Sequence, residues 1–169
     1  MKIGVISDTH DQISQIEKAV AVFNQEKVGL VIHCGDWVAP FSVIPFQKLT
    51  CPLKGIFGNN DGDKFRHAIR MKSRGIDLFY EERFLVLNVE GRNIAVFHGD
   101  YQEIVDALVT CGTYDVVFHG HTHINVNQTI GKTLSLNPGT LMKYTLPGVE
   151  GASFAVYDSK PNTARIIEL

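Results

Sequence analysis

The chain has 169 residues, 44% of them hydrophobic, and its 16 Lys and Arg against 18 Asp and Glu leave a formal charge of −2. A length near 150 is ordinary for one domain and allows about 70% of the unfolded surface to be buried, so a single domain over residues 1–169 is expected, held by its core rather than by staples. The near balance of charge excludes a strong basic field for a long nucleic acid or an anionic membrane, but not a small phosphorylated substrate, because metal ions in a site add charge that the count omits.

Cys34, Cys51 and Cys111 are widely spaced, odd in number and form no CxxC pair, so no disulfide framework is implied. The first residues read directly into a buried strand without the form of a signal peptide, and no run of about 18 apolar residues occurs. A cytoplasmic protein is expected.

Residues Ile3 to Ser7 form a short apolar run, as in a central strand covered on both faces, and the run ends at Asp8. From Ile13 to Lys27 the apolar positions Ile13, Ile16, Val20 and Phe23 have helical spacing, which predicts an amphipathic helix recrossing the sheet. Leu30 to His33 is the next strand, with Gly35 and Asp36 at its exit. Pro40 to Leu49 reads as a short helix with Phe41, Ile44 and Leu49 inward, shortened by the interior Pro45. Leu53 to Phe57 is a third strand, followed at once by Gly58, Asn59, Asn60, Asp61 and Gly62. This β-α-β-α-β order predicts a parallel sheet with right-handed crossovers. Residues 63–76 are charged and read as partly helical.

Beyond Phe79 the texture becomes mostly β. Phe84 to Val89 and Asn93 to Phe97 flank a hairpin turn at Glu90, Gly91 and Arg92. Ile104 to Leu108 is a short helix. Val116 to Phe118, Ile124 to Ile130, Thr133 to Leu136, Ser153 to Tyr157 and Ala164 to Ile167 are strands separated by Gly, Pro and Asn turns. The expected architecture is α/β: two sheets face to face with helices outside.

The informative residues stand at the strand exits. Asp8 and His10 lie two apart where the first strand breaks, so both side chains can reach one point. Asp36 and Asn59 leave the next two strands at the carboxyl edge, where open α/β sheets bind ligands. His98, His121 and His123 come from later strand ends. Seven ligand-type side chains exceed the needs of one ion and suit two that share a bridging carboxylate, an arrangement used for in-line displacement at phosphorus. Carboxylate, amide and imidazole donors without thiolate favour Mn2+ or Ni2+, with Zn2+, Fe2+ and Co2+ also suited; an all-oxygen cage would point to Mg2+ or Ca2+.

Each fragment alone is weak, since Asp-x-His or Gly-Asp is an ordinary turn roughly four times in five. Gly120, His121, Thr122 and His123 carry more, because two imidazoles at one strand end rarely serve packing. All four motifs in this order, each at a strand exit, reverse the odds. His33, His67 and His119 read as buried, hydrogen-bonded histidines, Cys34 as a small buried thiol, and Trp37 as packing beside a ligand loop. Ser7 and Ser42 lack the Gly-x-Ser-x-Gly elbow of a nucleophile. Lys64, Arg66, Arg70, Lys72 and Arg74 read as a solvated helix face.

On these residues the chain resembles the calcineurin-like metallophosphoesterase superfamily, whose motifs run Asp-x-His, Gly-Asp, Gly-Asn-x-(Asp/Glu), a lone His, then Gly-His-x-His. The short form, with Asn137, Pro138 and Gly139 late in the chain, is similar to small archaeal and bacterial phosphodiesterases of that superfamily. The resemblance implies a β-sandwich flanked by helices. It also implies one metal on Asp8, His10 and His123, a second on Asn59, His98 and His121, and Asp36 bridging them. Many members carry His where this chain has Asn60, and a neutral amide can donate a hydrogen bond but cannot be a general acid. Asp61, Asp11 or metal-bound water is then expected to supply the proton. Many relatives read His-Gly-His where this chain has Asp100, which would repel an anionic substrate unless it points away, pairs with a cation or braces a metal ligand.

The expected activity is hydrolysis of a small phosphodiester, less readily a monoester, by a metal-bridging hydroxide attacking in line, in a site left open because the chain has no room for a capping domain. Asp36, Asn60 and Asp61 are the expected catalytic residues, with Asp11 and Asp100 behind the ligands or against the substrate. A non-catalytic scaffold binding protein partners is the rival, disfavoured because all seven ligand positions are filled. A nuclease is the third reading, disfavoured by the balanced charge and the lack of an aromatic and basic stripe. No membrane partner is expected, and the chain leaves open whether it forms a homo-oligomer.

Overall fold

The computed structural model describes residues 1–73, the backbone of 78–81, and residues 83–143 and 151–169. Arg74, and the end of the segment expected to be helical over 63–76, lie outside the described residues. The elements in chain order are β1 (Lys2–Ile6), α1 (Ile13–Glu26), β2 (Leu30–His33), a 3₁₀ segment (Pro40–Lys48), β3 (Leu53–Ile56), α2 (Lys64–Ser73), β4 (Leu78–Glu81), β5 (Phe84–Val89), β6 (Arg92–Phe97), α3 (Gln102–Thr110), β7 (Val116–Phe118), β8 (Val126–Ile130), β9 (Thr133–Asn137), β10 (Ser153–Asp158) and β11 (Thr163–Glu168).

Two mixed sheets result. One runs β11-β10-β1-β2-β3-β4 and the other β5-β6-β7-β9-β8. The strands β1 to β4 are mutually parallel, whereas β10 pairs antiparallel with β1. Parallel strands need crossovers, and α1 supplies the first of them. Its residues Ile16, Ala19, Val20 and Phe23 recur at helical spacing and are buried against Ile6, Val31 and Leu53 on the outer face of the six-stranded sheet. Burial of each large apolar side chain there contributes about 1.5–3 kcal/mol. The helix stops at Lys27, whose left-handed φ of 54° turns the chain into β2.

The alternate residues Ile3, Val5, Ile32 and Ile56 point the other way, onto Ile94, Val96, Phe118 and Leu136 of the second sheet. This inter-sheet core fixes the two sheets face to face. Val105 and Val109 of α3 cover Ala95, Phe97 and Val117 on the far side. The layers are therefore helix, sheet, sheet, helix.

Most elements lie within two residues of their expected bounds. The segment after Pro40 differs: it is 3₁₀ rather than α, with Pro45 inside it. A three-residue period places Val43 and Phe46 in the core, leaves Ile44 half-buried, and turns Phe41 outward at 45% exposure. The strand β4, at the edge of the six-stranded sheet, was not expected. Four residues between uninformative neighbours give no periodicity to read.

Candidate metal centre

Because β1, β2 and β3 are parallel, their carboxyl ends share one edge, and Asp8, Asp36 and Asn59 all follow those ends. The loops are tied across this edge: the Asp8 N–H donates to the Gly35 carbonyl (3.0 Å) and the His10 N–H to the Asp36 carbonyl (3.2 Å). On the facing sheet β6 and β7 are also parallel, and the Gly120 N–H donates to the His98 carbonyl at 2.7 Å. The two loop sets are joined where the His121 N–H donates to Asp8 Oδ2 at 2.9 Å. The structure thus brings together all seven side chains that the sequence singles out.

They form two clusters. In the first, His10 Nε2 and His123 Nε2 lie 3.2 Å apart, at 3.7 and 3.3 Å from Asp8 Oδ1. In the second, Asn59 Oδ1 lies 3.0 Å from His98 Nε2 and 2.9 Å from His121 Nδ1. Asp36 spans them, with Oδ2 3.5 Å from His10 Nε2 and Oδ1 3.4 Å from His98 Nε2.

Divalent cations fit this donor set. Donors held about 2.0–2.2 Å from one ion lie roughly 3–3.6 Å from each other, close to the 2.9–3.7 Å seen. Asp8 Oδ2 accepts bonds from the Ser7 hydroxyl (2.6 Å) and the His121 N–H, while Asp8 Oδ1 is buried without a hydrogen-bond partner. An orphaned carboxylate oxygen facing two imidazoles is costly unless a cation satisfies it. His98 Nδ1 lies 2.9 Å from the Cys34 carbonyl, a contact that keeps a proton on Nδ1 and turns Nε2 toward Asp36 and Asn59, where its lone pair would be offered to a cation.

The charges agree with this reading. Burial acts to raise the Asp8 carboxyl, but His10, His123, His98 and Ser7 outweigh it and hold the group well below the usual carboxylate range. At Asp36 burial is likewise outweighed, by His98 and by Asn60. Burial acts to lower His10 and His98, yet Asp8 and Asp36 push both above the ordinary imidazole value. The carboxylates are ionised and ready to accept a cation.

Backbone conformation serves the same end. Asp8, His10, Asp36, His121 and His123 all have positive φ, from 39° to 69°. Such conformations cost roughly 1–3 kcal/mol each, persist where the surroundings fix them, and are least unfavourable for Asp, Asn and His. Two motif glycines are explained by close approach. A Cβ at Gly58 would collide with Asp36 Oδ1 and lie 2.7 Å from its backbone nitrogen, and one at Gly120 would meet Ser7 Oγ and Asp8 Oδ2.

The remaining site residues have structural partners. Asn60 donates its backbone N–H to Asp36 Oδ1 (2.9 Å) and its side-chain Nδ2 to Asp36 Oδ2 (2.6 Å). Asp61, one of three expected proton sources beside Asp11 and metal-bound water, accepts three backbone N–H groups: Asp36 at 2.9 Å, Gly58 at 2.7 Å and Val38 at 2.8 Å. With both oxygens occupied it clamps two ligand loops together. Asp11 Oδ1 accepts the Ala39 N–H at 2.9 Å, linking the first and second loops. Asp100 pairs with Arg83, the cationic partnership among the alternatives open for it.

Residues given a packing role have one. His33 contacts Thr9 Oγ1 (3.1 Å) and accepts the Gly35 N–H, and Trp37 stacks on it with ring centroids 3.5 Å apart. His119 bonds Ser135 Oγ at 2.9 Å, and burial pushes it down to about 4. Cys34 is buried, which raises its thiol well above the ordinary value. Sequence reasoning missed Arg83 and Thr140, whose hydroxyl donates to the Asp8 carbonyl at 2.8 Å. It quoted Asn137 without a role; its Nδ2 donates to the Gly120 carbonyl at 2.8 Å and holds the His121–His123 loop.

Comparison with known proteins agrees. Residues 1–161 match the profile of the calcineurin-like phosphoesterase superfamily domain. The chain is 34% identical over 169 residues to the phosphodiesterase MJ0936 of Methanocaldococcus jannaschii, across 100% of this chain and 99% of that one. It superposes on the structure of an archaeal phosphodiesterase with a TM-score of 0.91 at 32% identity over all of both chains. The phosphoesterase YfcE of E. coli shares the fold, with a TM-score of 0.74 at 17% identity over 99% of this chain and 98% of that one.

Proposed function

The chain belongs to the calcineurin-like phosphoesterase superfamily, and from that premise we propose that it hydrolyses small phosphodiesters with the help of two divalent cations. The observation that carries the two-cation reading is Asp36, whose two oxygens face His10 and His98 in separate clusters. Asp8, His10 and His123 would hold one cation, Asn59, His98 and His121 the other, and Asp36 both. Mixed imidazole, carboxylate and amide donors favour Mn2+ or Ni2+. When bound, such a pair would supply Lewis acidity toward phosphoryl oxygens and would lower the pKa of bound water.

The protein's own part is to hold these donors and to aim them. Ser7 and the His121 N–H fix Asp8, Asn60 fixes both oxygens of Asp36, and the Cys34 carbonyl sets the His98 tautomer. Asn60 offers N–H donors but no transferable proton, so a leaving group that departs unprotonated is favoured. That preference, together with a relative called a phosphodiesterase, supports a diester over an alkyl monoester. The filled ligand positions argue against a purely scaffolding protein.

The test is metal-stripped protein reloaded with Mn2+, Ni2+, Co2+, Zn2+ or Mg2+ and assayed on an activated aryl phosphodiester. Two equivalents of metal and metal-dependent turnover are expected. Asp36→Asn should stay folded and lose turnover on the order of 10²-fold or more, the scale for one electrostatic group in an active site. Full activity in that variant, or no hydrolysis with any metal, refutes the proposal.

A further inference from the structure

The ligand loops, residues 8–12, 35–39, 58–62, 98–102 and 120–125, carry Asp8, Asp11, Asp36, Asp61 and Asp100 but no Lys or Arg. The loops bring carboxylates and no permanently cationic side chain of their own, so a protein cation at this edge has to come from elsewhere in the fold. Arg83 is one that bonds directly to a loop carboxylate, Asp100.

Its position follows from the β5–β6 register. Phe84 pairs with Phe97 and Leu85 with Val96, so Arg83 comes opposite His98 at the end of the hairpin. Leu85 and Val96 point into the inter-sheet core. Two residues further along, Arg83 and His98 share that face, which is the side where the ligands converge. Asp100 is 11% exposed while the Arg83 side chain is 36% exposed, so the carboxylate is covered and the guanidinium reaches water. Among the described residues Asp100 is the one hydrogen-bond partner of Arg83, which leaves the other donors of its planar fork available. A guanidinium fork matches phosphoryl oxygens in geometry and charge.

We propose that Arg83, held by Asp100 beside His98, binds a phosphoryl oxygen of the substrate. Arg83 is a substrate-binding residue and Asp100 its positioning partner. The carboxylate that looked repulsive in the sequence thus brings a cation to the site. This inference rests on the phosphoesterase reading above.

Metal-loaded protein is compared with Arg83→Ala, Arg83→Lys and Asp100→Asn, using inorganic phosphate as the binding probe in calorimetry and the aryl diester in kinetics. Metal content and unfolding midpoint are measured alongside. For Arg83→Ala, phosphate affinity and kcat/KM should fall about 10- to 100-fold, as for loss of a charge-assisted hydrogen bond, with metal content unchanged. Arg83→Lys should recover part of the phosphate affinity, and Asp100→Asn should lose less than Arg83→Ala. Unchanged phosphate affinity in Arg83→Ala overturns the inference, and so does loss of metal or fold in both Arg83 variants, which would make the pair merely structural. Phosphate binding is read without turnover, so absence of hydrolysis would count against the phosphoesterase reading alone.

Discussion

Replacing Asp61 by Asn isolates what holds the ligand loops. Asp61 is 8% exposed, and its Oδ2 accepts the Asp36 and Gly58 N–H groups while Oδ1 accepts that of Val38. The best orientation of an asparagine keeps the amide oxygen at the doubly bonded position and turns its NH2 toward the Val38 N–H, donor against donor. Two bonds lose their charge assistance, worth about 1 kcal/mol each, and one N–H is left without an acceptor at about 1–3 kcal/mol. Allowing for relaxation toward water, a loss of about 3 kcal/mol is expected. At a urea m-value of about 2 kcal/mol/M this moves the midpoint of the metal-free protein down by roughly 1.5 M. Because Asp36 and Gly58 are the residues released, metal affinity should also fall about 10- to 100-fold. Unchanged stability and unchanged metal affinity would refute the clamp. Turnover lost with both intact would return Asp61 to the role of proton donor.

Two further expectations concern pH. His10 and His98 are raised by Asp8 and Asp36 against the effect of burial, so in metal-free protein they hold a proton to higher pH than a free imidazole and a cation must displace it, whereas Asp8 and Asp36 are held low. Metal affinity should therefore rise as pH rises, and go on rising above 6.5; calorimetry in buffers of different ionisation enthalpy should show proton release, and a flat affinity from pH 6 to 8 would contradict this. His119 is neutral when folded down to about 4, against 6.5 when unfolded. The unfolded chain takes up the proton first, so this contribution is complete above pH 6.5 and is lost as pH falls toward 4, amounting to about 3 kcal/mol. His119→Gln, which keeps a hydrogen bond within reach of Ser135, should flatten the acid limb of a urea-midpoint profile; an unaltered slope sinks the assignment. His33, also lowered by burial, acts with the same sign, so part of the slope should persist.

What could be read from the chain alone follows from how local each signal is. Buried parallel strands are compact apolar runs, and a ligand at the end of each run needs only the strand to be located. Hence Asp8, Asp36, Asn59 and His98 were legible with their elements. The 3₁₀ turn was not, because Pro45 argues only for a short helix and the mixed apolar pattern does not choose between periods of 3.0 and 3.6 until the core selects Val43 and Phe46 over Phe41. The clamp at Asp61 was hidden for another reason: its partners are backbone N–H groups, which every residue has and no side-chain motif reports. Arg83 was within reach. The hairpin at Glu90 and Gly91 already fixes the register that sets it opposite His98, and extending that register by one pair would have found the cation for Asp100.

The place of β1 between β2 and β10 has a consequence during synthesis on the ribosome. The last candidate ligand, His123, is translated roughly 30 residues before Ser153 opens β10, a delay of a few seconds at about 5–20 residues per second. Throughout that interval one edge of β1 has no neighbour, and its backbone is open to pairing with a stray strand. The nascent chain thus has every candidate ligand synthesised before the sheet that supports them is closed.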